Sequence, residues 1–189
     1  QFPANVYPWT NLQQKGVHVI TDELPHASHA VEVLESKIND KTQLLCLSFV
    51  EYDDGYRHAI EKIGRLCREN NVLFFVDAVQ GLGALPLNAR KAEIDFLATS
   101  GHKWLLGPSG QGFLYIRRER LQDLYVLSRS WLSYTLPFEF QNYRQPLKAT
   151  AGRFEGGTWN FLGIAGLGAA LKLLHEVGIE CIENHIFQL

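Results

Sequence analysis

The run Asn71-Val72-Leu73-Phe74-Phe75-Val76 is apolar at every position after its first residue and stops at Asp77. A strand with no polar face must be covered by protein on both sides, which excludes a sheet with one wet face. The run is therefore read as a central strand of a parallel α/β sheet. Leu44-Leu45-Cys46-Leu47-Ser48-Phe49-Val50 is a second such run, with Cys46 as a small core residue, and Ile94-Asp95-Phe96-Leu97-Ala98-Thr99 a third. Gly110-Gln111-Gly112-Phe113-Leu114-Tyr115-Ile116 adds a fourth strand.

The stretches between these runs carry helical spacing. Ala30, Val31, Val33, Leu34 and Ile38 fall near one helix face, with Ser28 as the cap. From Tyr56 to Asn70 the apolar positions are Ile60, Ile63, Leu66 and Cys67, and Asn70-Asn71 closes that helix. Asn11 to Gly16 is read as a short helix ending at glycine, Val17 to Thr21 as a short strand with His18 on its face, and 81–92 as turns. Arg117 to Leu124 is a charged helical turn. A helix from Phe161 to Val177 carries Gly163, Gly166 and Gly168 for close packing, and an amphipathic stretch follows from Gly178. Strands alternating with helices predict an α/β fold, a mainly parallel sheet sandwiched by helices.

Composition narrows the partners. The 189 residues are 46% hydrophobic with a formal net charge of −2, and they hold neither a basic stripe nor an apolar run of membrane-spanning length. Nucleic-acid binding and membrane insertion are thus not expected, nor is a metal site. Cys46, Cys67 and Cys181 are an odd, sparse set, which predicts no disulfide and a reducing, cytoplasmic setting. The chain lacks methionine and begins at Gln1, so it reads as a piece of a longer protein.

Two residues stand where chemistry is done in such sheets. Asp77 lies at the carboxyl end of a buried strand, where open α/β sheets bind ligands, although an aspartate there also suits a helix cap. Lys103, in Ser100-Gly101-His102-Lys103-Trp104, follows the next strand. Aromatic and aliphatic neighbours are expected to desolvate its amine in part, which suits attack on a carbonyl. The plain alternative is a surface lysine.

Val76-Asp77-Ala78-Val79-Gln80-Gly81-Leu82-Gly83, then Asp95-Phe96-Leu97-Ala98, then Ser100 to Trp104, resemble the class V aminotransferase family of pyridoxal-phosphate enzymes. That family includes cysteine desulfurases, selenocysteine lyases, kynureninases and isopenicillin-N-epimerase-like proteins. The resemblance implies a fold type I large domain in which the strand after the lysine loop runs antiparallel. It implies pyridoxal phosphate as cofactor, held by Lys103 as an internal aldimine, with Asp77 keeping the ring nitrogen protonated and Gln80 bonding the phenolic oxygen. Lys103, once released, would move a proton at the substrate α-carbon. Ser100 and His102 would bind the phosphate, and Phe2 of Phe2-Pro3-Ala4-Asn5 would stack on the ring, as in kynureninase-like members, with Asn5 beside it. Thr158, in Arg153-Phe154-Glu155-Gly156-Gly157-Thr158-Trp159-Asn160, would reach the phosphate of a partner subunit and make the active unit a homodimer. The same Thr158-Trp159-Asn160 segment also suits a cap for the helix from Phe161.

Two further segments refine this picture. Glu51-Tyr52-Asp53-Asp54-Gly55-Tyr56-Arg57 resembles the epimerase-like and kynureninase-like type rather than the Asn-Asn-Glu-x-Gly segment of many desulfurases. As a charged loop it is expected to be solvated. Residues 128–150, rich in aromatics, are read as subunit packing. Residues 1–160 are then the cofactor-binding large domain without its N-terminal phosphate loop, and 161–189 a helix leading towards an absent small domain. The function implied is a pyridoxal-phosphate enzyme acting on an amino acid, either an aminotransferase or a related lyase or epimerase. The alternatives are a cysteine desulfurase or selenocysteine lyase, and a non-catalytic fragment or interaction domain that keeps the fold.

Overall fold

A computed structural model describes residues 1–22, 24 and 29–189. Ser28, read as a helix cap, lies outside the described residues. Four strands form one sheet in the order β1 (Leu44–Ser48), β2 (Leu73–Asp77), β3 (Phe96–Ser100), β4 (Gly112–Ile116). β1, β2 and β3 run parallel and β4 antiparallel to β3, as expected. The short helix α1 (Tyr7–Thr10) precedes the sheet in the chain, α2 (Ala30–Lys37) leads to β1 and α3 (Ile60–Glu69) joins β1 to β2.

One face of β1, β2 and β3 is largely buried and the other largely half-buried, while Phe113 and Leu114 of β4 are exposed. Phe74, Val76, Leu47 and Leu97 point to one face, where Leu34 of α2, Ile60, Ile63, Leu66 and Cys67 of α3, and Ala84, Leu85 and Ile94 complete the main core. On the other face Trp9 of α1 lies edge-on to Phe75, with centroids 5.3 Å apart, and Phe96 packs with Ile116 and Leu121. α3 ends where Asn71 takes a left-handed conformation (φ 56°), which asparagine tolerates, so that its Val72 N–H reaches the Cys67 carbonyl at 2.8 Å.

Three sequence expectations change. Residues 17–21 form no strand: their side chains are largely exposed, and the Val17 N–H bonds the Leu12 carbonyl at 3.3 Å rather than a strand. The helix read from Tyr56 begins only at Ile60, because Tyr56 and Arg57 turn back along 49–51 instead; Val50 bridges Arg57. The turn at 117–124 holds only a 3-10 turn at Arg118–Arg120. The short helix before Gly16 is a 3-10 segment, Asn11–Lys15, closed by Gly16 at φ 81° as anticipated.

At the C-terminal side, α4 (Phe161–Val177) and α5 (Ile179–Ile186) meet at Gly178 with a 76° bend. The Asn160 side chain caps α4, accepting the Gly163 N–H at 3.0 Å. Among the described residues no single helix is long and apolar enough to cross a membrane.

Candidate active site

Two aspartates on neighbouring strands show which end of the sheet is chemical. Asp95, just before β3, is buried and fully engaged: its carboxylate accepts the Phe74 N–H and the Arg120 Nε–H, both at 2.9 Å. It is a structural clamp at the amino end of the sheet. Asp77 closes β2 at the carboxyl end, and its carboxylate accepts the Val79 N–H at 3.0 Å. No helix follows it, so the capping alternative falls and the residues after it turn instead.

Strand alternation decides what shares the Asp77 face. Asp77 pairs in register with Ser48 of β1 and with Ala98 of β3, so Ser48, Cys46, Phe75, Ala98 and Ser100 lie on that same face. Burial pushes the Asp77 carboxyl above its ordinary range; the Val79 amide and the Lys103 charge pull it down, and the Glu51 charge adds to the rise. Asp77 and Lys103 thus sense each other from the ends of adjacent strands.

Lys103 sits on a loop that closes on itself. The Gly101 N–H meets the Gln111 carbonyl and the Gly107 N–H meets the Gly101 carbonyl, each at 2.7 Å, and the Leu106 N–H meets the Lys103 carbonyl at 2.9 Å. Leu167 of α4 packs onto this loop so closely that a Cβ on Gly101 or Gly107 would come within 3.0 Å of its methyl. The half-buried Lys103 carries its Nζ 5.6 Å from the Phe2 ring centroid.

The other sequence candidates fall into place unevenly. Phe2 lies beside Lys103. Ser100 ends β3 half-buried on the Asp77 face, while His102 is exposed. Gln80 lines a cleft of about 300 Å³ together with Glu51, Tyr52, Arg57, Trp104 and Ile186, beside the lysine loop. Thr158 is exposed in the segment before α4. Asn5 is buried, bonds the Gln1 side chain at 2.9 Å and accepts the Cys46 thiol at 2.8 Å.

Sequence reasoning missed the Gln1, Ser48, Glu51 and His58 cluster. Its one signal was the polar Ser48 inside an apolar strand. The loop expected to be solvated holds Glu51 with its side chain only 10% exposed, against His58 Nε2 at 2.8 Å.

A three-stranded parallel core with an antiparallel fourth strand, an acid at one strand end and a lysine loop at the next, is the large-domain architecture of fold type I pyridoxal-phosphate enzymes. The chain belongs to the aminotransferase class-V family, whose model matches residues 1–189. It is 32% identical to an uncharacterized aminotransferase, YcbU, of Bacillus subtilis over 98% of this chain and 48% of that protein. A probable cysteine desulfurase of Pyrococcus abyssi is 32% identical over 96% of this chain and 45% of its own length. Among solved structures, the apo cysteine desulfurase of Thermococcus onnurineus superposes with a TM-score of 0.83 at 29% identity, over 96% of this chain and 45% of that one. The cystine C-S lyase C-DES, in complex with cysteine persulfide, gives 0.73 at 33% identity over 79% and 40%. The chain therefore spans about half the length of the curated relatives it matches.

Proposed function

We infer that this chain supplies the lysine-bearing half of a pyridoxal-phosphate-dependent enzyme acting on an amino-acid substrate. The observation that carries this reading is the placement of the half-buried Asp77 at the end of β2 and of the Lys103 loop just beyond the end of the adjacent β3. The residues fit the cofactor by their chemistry. A carboxyl pushed up by burial favours a cation beside it, as a protonated ring nitrogen would be. An amine stands opposite, an aromatic ring lies beside the amine, and Ser100 supplies a hydroxyl on the same face. When bound, pyridoxal phosphate supplies an electron sink for carbanion chemistry at the substrate α-carbon.

The chain's own residues then divide the work. Asp77 holds a proton at the ring end, Lys103 secures the cofactor and moves a proton at the α-carbon, and Phe2 covers the ring and excludes water. Gln80, at the cleft beside Trp104, is assigned to the phenolic oxygen, and Ser100 and His102 to the phosphate. Thr158, exposed before α4, is assigned to a partner subunit's phosphate in a homodimer. Exposed Phe138, Phe140 and Tyr143, with Trp131 5.8 Å and 6.0 Å from the first two, give that homodimer an apolar surface. On this reading 1–160 is the cofactor-binding large domain, 161–189 leads towards a small domain, and the protein works in the cytoplasm.

The desulfurase reading is favoured by several relatives that are probable cysteine desulfurases. It needs a nucleophilic thiolate, however, and burial pushes Cys46 and Cys67 up to about 12. That disfavours Cys46 and Cys67 as the source of the thiolate, whereas Cys181 is exposed. The test is to add pyridoxal phosphate to the full-length protein, record the visible absorption band, reduce with borohydride and map the adduct. Attachment at Lys103 is expected, and Lys103→Ala should abolish it. Reduced adduct elsewhere, or none, overturns the proposal. Release of sulfide and alanine from cysteine would then mark a desulfurase, and keto-acid-dependent amino transfer an aminotransferase.

A further inference from the structure

We propose that the ribbon 49–58 is a clamp that sets the Phe2 ring over the Lys103 site, with Glu51 as its positioning residue and His58 as the lock on Glu51. The proposal rests on the reading of Lys103 as the cofactor-holding group.

The ribbon is built by backbone pairing. Val50 bridges Arg57 in antiparallel fashion, the Glu51 N–H meets the Tyr56 carbonyl at 2.9 Å, and the His58 N–H meets the Phe49 carbonyl at 3.0 Å. Gly55 at φ 75° makes the reversal. This pairing sets the Glu51 and His58 side chains against each other, 2.8 Å apart, with His58 only 2% exposed. A carboxylate withdrawn from water this far is costly unless bonded. Asp53 and Asp54, at the ribbon's tip, remain exposed, so burial picks out one acid of the three.

Glu51 uses its bonded oxygen twice. Oε1 takes the His58 ring nitrogen and also the Gln1 Nε2–H at 2.5 Å. Gln1 in turn accepts through its Oε1 from the Ser48 N–H at 2.9 Å, the Ser48 hydroxyl at 2.7 Å and Asn5 Nδ2 at 2.9 Å. Phe2, the next residue, is thereby tied to the end of β1. From the other side Tyr52, adjacent to Glu51, presents its ring edge to Phe2 with centroids 5.4 Å apart and planes at 77°. The same two-residue stretch thus fixes both the backbone leading to Phe2 and the tilt of its ring. Phe2 itself is 46% exposed and could not hold that orientation by burial alone.

Two readouts on the full-length protein test the clamp. Without cofactor, Glu51→Ala should raise amide exchange at Asn5 and Val6 about tenfold, the scale of one lost hydrogen bond to a charged group, while Asp53→Ala leaves it unchanged. With cofactor, Glu51→Ala and Phe2→Ala should each weaken binding about tenfold and diminish the induced circular dichroism of the bound chromophore. Glu51→Ala added to Phe2→Ala should cost little more, because both act through one ring. Tyr52→Leu, at a half-exposed site, should diminish the dichroism and weaken binding by less than Phe2→Ala, and a Tyr52→Leu variant with unchanged dichroism would also overturn the clamp. Unchanged exchange in Glu51→Ala, or fully additive losses in the double variant, would overturn the clamp. Failure of the wild-type protein to take up cofactor at Lys103 refutes the functional reading instead, and the cofactor-free exchange measurement still decides the clamp.

Discussion

Gly83→Ala should damage the lysine loop from a position 20 residues away in sequence. Gly83 has φ 94°, and a Cβ added there would lie 2.3 Å from the Trp104 carbonyl oxygen, 2.5 Å from its carbon and 2.9 Å from the Leu105 nitrogen. All three are backbone atoms of the residues after Lys103, so no side chain can rotate aside. The positive φ costs a residue with a Cβ about 1–2 kcal/mol, and forcing packed backbone apart adds about 1–3 kcal/mol. The sum is about 2–5 kcal/mol. With a urea dependence of about 2 kcal/mol per molar, the unfolding midpoint should fall by about 1–2.5 M. Gly110→Ala is the matched control: φ is 78°, yet nothing lies within 4 Å of its Cβ, so only the conformational cost of about 1–2 kcal/mol applies. Urea unfolding by circular dichroism compares the two, and borohydride trapping at Lys103 reads the site. Equal losses in the two variants would refute the claim that Gly83 is there to let the turn after β2 touch the lysine loop.

Asp77→Asn separates stability from function. Burial raises the Asp77 carboxyl, so its favourable contribution in the cofactor-free protein is present in acid and lost as pH rises from the ordinary value of 3.8 through the raised one. The variant should therefore match the wild type below that window and be the more stable of the two above it, by thermal unfolding without cofactor. Cofactor affinity at neutral pH should fall about tenfold or more with the charged partner gone. A variant that is less stable at neutral pH would contradict the burial argument. Thiol labelling of the native protein at pH 8 should modify Cys181, which is exposed, and spare Cys46 and Cys67, whose thiols burial holds near 12. Rapid labelling of all three would contradict the packing of the strand and helix that carry the latter two.

The local pattern of residues determined the sheet. Unbroken apolar runs leave no choice but strands covered on both faces, and the 60, 63, 66, 67 spacing leaves α3 no choice of buried side. Asp77 was legible because it directly follows such a run, and Lys103 because it lies in the short loop three residues after β3, so each place near a sheet end follows from where a run stops. The alternation within β1 and β2 also contained the Ser48 and Asp77 pairing, once the register is known. Register is a contact between strands distant in sequence, and only the folded chain supplies it.

The tertiary structure alone decided the rest. Whether Glu51 is a solvated loop acid or a buried one depends on how 49–58 folds back and on Gln1, fifty residues earlier, coming to meet it. The contrast between Asp77 and Asp95, two aspartates flanking adjacent strands, arises from which end of the sheet carries arginines to neutralise them. The glycines at 83, 101 and 107 acquire their meaning only when other backbone or Leu167 arrives beside them. Residues 17–21 have the composition of a strand but pair with no described strand, and hydrogen bonding to a strand edge is what turns an extended segment into a strand. Composition and period act within a few residues, whereas burial, pairing and charge neutralisation are properties of what the chain brings together.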